Sequence, residues 1–103
     1  MCIRDRVESV SSSNPELISK ILAKRGCNKV LWECGPRLAT AAIRSNCIQE
    51  LITFIAPKIL GGENSMNPLG DFEFKEMHEI IKLNNSQLSL IDNDICVNSS
   101  FKN

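Results

Sequence analysis

The sequence predicts an α/β domain in which a β-α-β crossover is followed by an antiparallel C-terminal hairpin. Three observations predict it. Two apolar stripes at helical spacing, Leu17–Leu22 and Leu38–Ile43, each follow a proline suited to a first helical position. Short apolar runs stand on either side of the second stripe. The last quarter of the chain carries apolar and alternating patches around an Asp-Asn-Asp turn.

Taken in order, Met1–Arg6 fits no element that follows and resembles translated sequencing-adapter read-through, so it is read as a non-native leader. Val7–Ser13 is a Ser-rich connector. Asn14-Pro15-Glu16 is a helix start, with Asn as N-cap and an acid beside the positive helix end. Lys24, Arg25 and Gly26 suit a helix end, giving a helix over Pro15–Arg25. Lys29–Glu33 reads as a strand buried on both faces, broken by Cys34-Gly35-Pro36. Arg37–Ser45 reads as the second helix, and Glu50–Ile55 as the next strand. A strand, a helix and a strand in this succession imply a parallel crossover. A glycine pair ends the loop Ala56–Gly62, residues Glu63–Gly70 look irregular, and the hairpin spans Glu79–Ile91 and Ile95–Phe101.

Composition excludes several classes. The chain has 103 residues, enough for one domain. Its 12 basic and 12 acidic residues cancel, so the footprint of a nucleic-acid binder is missing. No apolar run approaches the roughly 20 residues needed to span a bilayer. Five cysteines, an odd number with no C-x-x-C pair, argue against a disulfide framework or zinc knuckle and for free thiols in a reducing cytoplasm. His78 is the single histidine, and no metal cluster surrounds it.

The most informative stretch is Leu31-Trp-Glu-Cys-Gly-Pro-Arg-Leu38. A strand ends on a carboxylate, turns on a glycine and opens into a helix. The first N–H groups of a helix lack intrahelical partners and, with the helix dipole, suit a phosphate or pyrophosphate. Gly35 would let a ligand approach, Arg37 would add counter-charge, and Glu33 would accept from hydroxyl or amine donors. The alternative is an ordinary strand–helix turn with a solvated glutamate.

Trp32-Glu33-Cys34-Gly35-Pro36, followed by Leu38-Ala39, resembles the E-G-G-P-x-L-A segment of the reductase domain of the bifunctional riboflavin-biosynthesis deaminase/reductase. Gln49-Glu50-Leu51 resembles that family's V-D-E-L. Ala56-Pro57-Lys58-Ile59-Leu60-Gly61-Gly62 resembles its A-P-x-L-L-G-G loop, and Asp92-Asn93-Asp94 stands where it has G-D-D. Four motifs match in order and spacing, from Pro15 to the end of the chain.

The resemblance implies a partial dihydrofolate-reductase-like fold, with residues 7–103 forming the C-terminal half of the reductase domain. It implies NADPH-dependent reduction of 5-amino-6-(5-phosphoribosylamino)uracil, a pyrimidine phosphoribosyl substrate, and a homodimer in the full-length protein. By matched position Glu33 contacts substrate, and Gly35, Pro36, Arg37, Leu38, Ala39, Thr40 and Ala41 bind the cofactor. The resemblance identifies no proton donor. Half a cofactor cleft predicts no turnover by the fragment alone. Two other readings stand beside it: a related reductase acting on a pterin-type substrate, and a non-catalytic module in which the hairpin mediates dimerisation. The family's first glycine is Cys34 here, which limits backbone freedom; a small packing thiol and a reactive thiol are both readings of it. Lys58 reads as a solvated side chain or an anion contact. His78 reads as a surface residue. The deaminase signature H-x-E…P-C-x-x-C does not occur.

Overall fold

A computed structural model describes residues 9–10 and 12–101. The leader 1–6 lies outside the described residues, as do parts of the connector that follows it.

Helix α1 spans Pro15–Lys24. Asn14 caps it from an extended conformation, its Oδ1 accepting the Glu16 N–H at 2.9 Å. At the other end Gly26 sits at φ 84°, its N–H donating to the Ala23 carbonyl, while the Cys27 N–H donates to that of Leu22. That pair of bonds is a Schellman closure. Helix α2 spans Pro36–Arg44 and closes the same way: Asn46 takes the left-handed position at φ 56°, and the Cys47 N–H reaches the Ala42 carbonyl at 3.0 Å. The predicted helices thus appear within a residue of their expected ends, and the two pack on each other. Ala42 and Ile43, on the predicted inner stripe of α2, are buried.

Strands β1 (Glu50–Ile55), β2 (Asn84–Ile91) and β3 (Asp94–Ser100) form one antiparallel sheet in the order β1-β3-β2. The register runs from Glu50 opposite Ser100 to Ile55 opposite Ile95. The β2–β3 hairpin turns on Asp92-Asn93, with Asp92 at φ 55°, a conformation Asp tolerates better than most residues. One extra residue in β2 between Asn84 and Gln87 makes a bulge, and Asn85 lies there at φ 53°. Beside it Ser86 and Ser99 share a hydroxyl–hydroxyl bond of 2.7 Å.

Four expectations are corrected. Lys29–Glu33 is not a strand, and among the described residues no parallel pair closes a β-α-β crossover. β1 pairs instead with β3, antiparallel. The cause is pairing, not propensity: a strand needs a neighbour, and no described segment lies beside 29–33 to provide one. Nor is this run buried on both faces, since Leu31 is 80% exposed. The hairpin's first strand starts at Asn84, later than expected, because Met77–Glu79 is taken up in a 3-10 turn.

Opposed residues share a face, so Leu51, Thr53 and Ile55 lie with Val97, Ile95, Leu88 and Leu90 on one side of the sheet. Among the described residues no helix packs closely on either side, and β2 is exposed along its whole length. The chain exposes 9409 Å². A complete folded protein of this mass exposes about 5,800 Å².

Candidate functional site

The site begins at the turn 33–38. Glu33 ends the irregular segment before the turn and is exposed. Gly35 is the N-cap of α2 at φ −77°, ψ 176°, and no side chain caps the helix. Pro36 has no N–H, so the unpaired donors at this end belong to Arg37 and Leu38. A Cβ at Gly35 would meet nothing within 4 Å. The backbone there is ordinary, so the glycine answers no need inside this chain; what it leaves is open space before a bare helix end. Arg37 and Cys34 are exposed beside it.

α2 presents three faces. Ala39 and Ile43 line a cleft of about 650 Å³, whose other walls include Val30, Trp32, Leu51 and Ile52. Arg37 and Ala41 lie on a second face. Pro36, Thr40 and Arg44, spaced by four, meet the segment 69–74. The Gly70 N–H donates to Thr40 Oγ1 at 2.6 Å, and Thr40 is buried. Arg44 Nη2 donates to the Phe72 carbonyl at 2.8 Å, its guanidinium lies 5.8 Å from the Phe72 ring centre, and Phe72 stacks on Phe74 at 5.3 Å. This strap fixes the first two turns of α2. A Cβ at Gly70 would stand 3.1 Å from Thr40 Oγ1, so glycine is what lets the strap lie this close. Losing the Gly70–Thr40 hydrogen bond would cost about 0.5–1.5 kcal/mol.

The sequence-predicted residues fall into groups. Glu33 and Gly35–Leu38 converge at the open helix end. Thr40 is engaged by the strap, on a different face from the cleft. Lys58 and the glycine pair lie in an exposed loop, where Ser65 Oγ reaches the carbonyls of Gly61 and Gly62 at 2.7 and 2.9 Å. His78 is on the exposed surface, 3.0 Å from Glu76. Sequence reasoning missed the strap. Its contacts join residues about thirty apart, and no local signal in 63–74 announces them. Among the described residues no helix is long and apolar enough to cross a membrane.

The small α/β unit, with a bare helix N-terminus beside an exposed carboxylate, has the fold of a reductase domain of the dihydrofolate-reductase type. The chain matches the RibD C-terminal domain family over residues 4–97, and belongs to that family. It is 40% identical over 70 residues to the chloroplastic riboflavin biosynthesis protein PYRR of Arabidopsis thaliana, covering 68% of this chain and 12% of that protein. To the riboflavin biosynthesis protein RibD of Synechocystis it is 36% identical over 80 residues, 78% of this chain and 22% of the relative. The solved structure of Acinetobacter baumannii RibD superposes with a TM-score of 0.72 at 23% identity, covering 85% of this chain and 24% of that one, which establishes the shared fold. The chain thus spans between an eighth and a quarter of the length of these proteins.

Proposed function

We propose that this chain is the C-terminal half of a reductase domain that reduces 5-amino-6-(5-phosphoribosylamino)uracil with NADPH in riboflavin biosynthesis. The observation that carries the proposal is the turn 33–38: an exposed carboxylate, then an uncapped helix N-terminus with empty space before Gly35. That arrangement fits an anionic dinucleotide. The Arg37 and Leu38 N–H groups and the helix dipole receive phosphate, the Arg37 side chain adds positive charge, and Pro36 holds the first turn rigid. The cofactor-binding run of the family continues through Ala39 and Ala41, which stand on different faces of α2. Thr40, also in that run, keeps the helix end in place through Gly70. NADPH, when bound, supplies the hydride. Glu33 orients the substrate by accepting from its donors. The free thiols at Cys27, Cys34, Cys47 and Cys96 suit a reducing compartment such as the cytoplasm. In the complete protein two copies pair.

The test compares the complete reading-frame product with the purified 103-residue chain, following NADPH absorbance with the uracil substrate. The complete protein turns over and the chain alone does not. Glu33→Gln in the complete protein raises the substrate KM while NADPH affinity stays unchanged. Absence of NADPH oxidation by the complete protein sinks the proposal, as does turnover by the isolated chain.

A further inference from the structure

The strap over α2 carries its own shape. Asp71 Oδ1 accepts the Glu73 N–H at 2.7 Å, an Asx turn, and Glu73 takes φ 59°. The Phe72 and Phe74 rings on either side of it stack, 21° from parallel. Just downstream, the Glu79 carboxylate accepts the Lys75 and Glu76 N–H groups. A segment shaped by its own bonds can impose a position on what it touches. It touches α2 twice. The Gly70 N–H to Thr40 Oγ1 bond fixes one point, and the Arg44 Nη2 to Phe72 carbonyl bond fixes another. The two points are about 6 Å apart along the helix axis. A helix held at one point can swing about it; two points a turn apart set the direction of its axis. Both lie on a different face from Ala39 and Ile43, which line the cleft, so an occupant of the cleft does not replace them.

We propose, resting on the reductase reading above, that Arg44 is a positioning residue for the cofactor: from the last turn of α2 it aims the phosphate-binding end, about 10 Å away. Thr40 is the pivot and Arg44 the long arm. Arg37 stands about 4.5 Å beyond the pivot and Arg44 about 6 Å behind it. A drift of about 1 Å at Arg44 therefore moves the Arg37 N–H by about 0.75 Å. Charge-assisted hydrogen bonds occupy a donor–acceptor range only about 0.2 Å wide, so a drift of that size takes a donor off its phosphate oxygen. No side chain caps this end of the helix, so nothing local corrects the aim. The phosphates do not react, so binding lost there is lost equally before and during hydride transfer. The signature is a raised KM for NADPH with kcat kept. Arg44 is exposed and basic in the last turn, and such a cation also stabilises a helix through its dipole. That effect alone changes the amount of folded protein and leaves KM where it was.

The test uses the complete reading-frame product. Arg44→Met keeps side-chain length but removes donor and charge. It should raise the KM for NADPH about tenfold, the worth of one charge-assisted bond, with kcat within about twofold of the parent. The NADPH dissociation constant, read by fluorescence titration without substrate, should rise by the same factor. Arg44→Lys restores a donor and should bring both values back to within about threefold. Gly70→Ala, whose Cβ would stand 3.1 Å from Thr40 Oγ1, disturbs the pivot and should raise the same two values. Combined with Arg44→Met it should add less than its own factor, since both act through one strap. Without cofactor, the dipolar couplings of the α2 amides should change relative to those of β3 in Arg44→Met. The ratio of variant to parent should hold between about 0.05 and 0.3 M salt, over which direct attraction of the cofactor's charge by Arg44 would fade. NADPH affinity unchanged in Arg44→Met, even with a lowered urea midpoint, overturns the proposal. So do unchanged α2 couplings, a ratio that vanishes with salt, or a Gly70→Ala effect that is absent or fully additive. Absence of NADPH binding by the unsubstituted protein removes the reductase reading and this inference with it, whereas unchanged affinity in variants of a protein that binds NADPH removes this inference alone.

Discussion

At Gly35 helix stability and ligand access pull in opposite directions. Its dihedrals are those of an ordinary N-cap, and a side chain there would meet no protein atom. An aspartate would therefore cap α2 and complement its dipole, while its carboxylate would occupy the place an anionic ligand needs. Gly35→Asp should stabilise the chain by about 0.5 kcal/mol, read as a raised urea midpoint. In the complete protein the same change should weaken NADPH binding by about tenfold or more, read by fluorescence titration. A residue kept for packing would show the reverse pattern, loss of stability with affinity intact. Thr40 illustrates the other residue type: its hydroxyl is spent on Gly70, so its contribution is to where the helix stands rather than to what the helix holds.

At the scale of elements, the features written in neighbouring residues were legible. Asn14-Pro15 announced α1, Pro36 announced the start of α2, and β1 appears over Glu50–Ile55 as the apolar run implied. Caps and periodicity act within one or two turns, so one sequence suffices to see them. Lys29–Glu33 has equally good strand composition and yet forms none, because its stability depends on a neighbour's backbone. The strap over α2 was illegible for the same reason, its bonds being tertiary. The turn 33–38 of the candidate site was readable because carboxylate, glycine and proline are contiguous.

The 3-10 turn at Met77–Glu79 depends on charge. Glu79 Oε2 accepts the N–H groups of Lys75 and Glu76 at 2.7 and 2.8 Å. These bonds, that from Glu76 first and that from Lys75 second, hold its carboxyl below the usual range. A lowered folded value means stabilisation that is complete above the unfolded value and is lost as pH falls through the folded one. The turn should therefore loosen in acid, from about pH 4 downward. Faster normalised exchange of the Lys75 and Glu76 amides there checks this. Glu79→Ala should show the loose turn at every pH, and identical pH profiles for it and the parent would refute the assignment.

At the scale of the molecule, surface decides. The excess over a complete protein of this mass is about 3,600 Å², against 9409 Å² in all. A standard interface takes only about 800 Å² from each partner. Pairing of two such chains through one sheet face therefore leaves most of the excess exposed, while the remaining half of a domain can cover the sheet and fill the cleft together. Denaturant response separates these cases, since the slope of unfolding free energy scales with the surface newly exposed. The 103-residue chain alone should unfold with a urea slope well below that of a complete 100-residue domain, and with little change in slope over a wide range of protein concentration. Co-expression with the upstream part of its reading frame should raise the slope and abolish binding of a hydrophobic dye. A steep transition for the chain alone, or a slope restored merely by concentrating it, would show that one chain or two identical chains suffice to bury this surface.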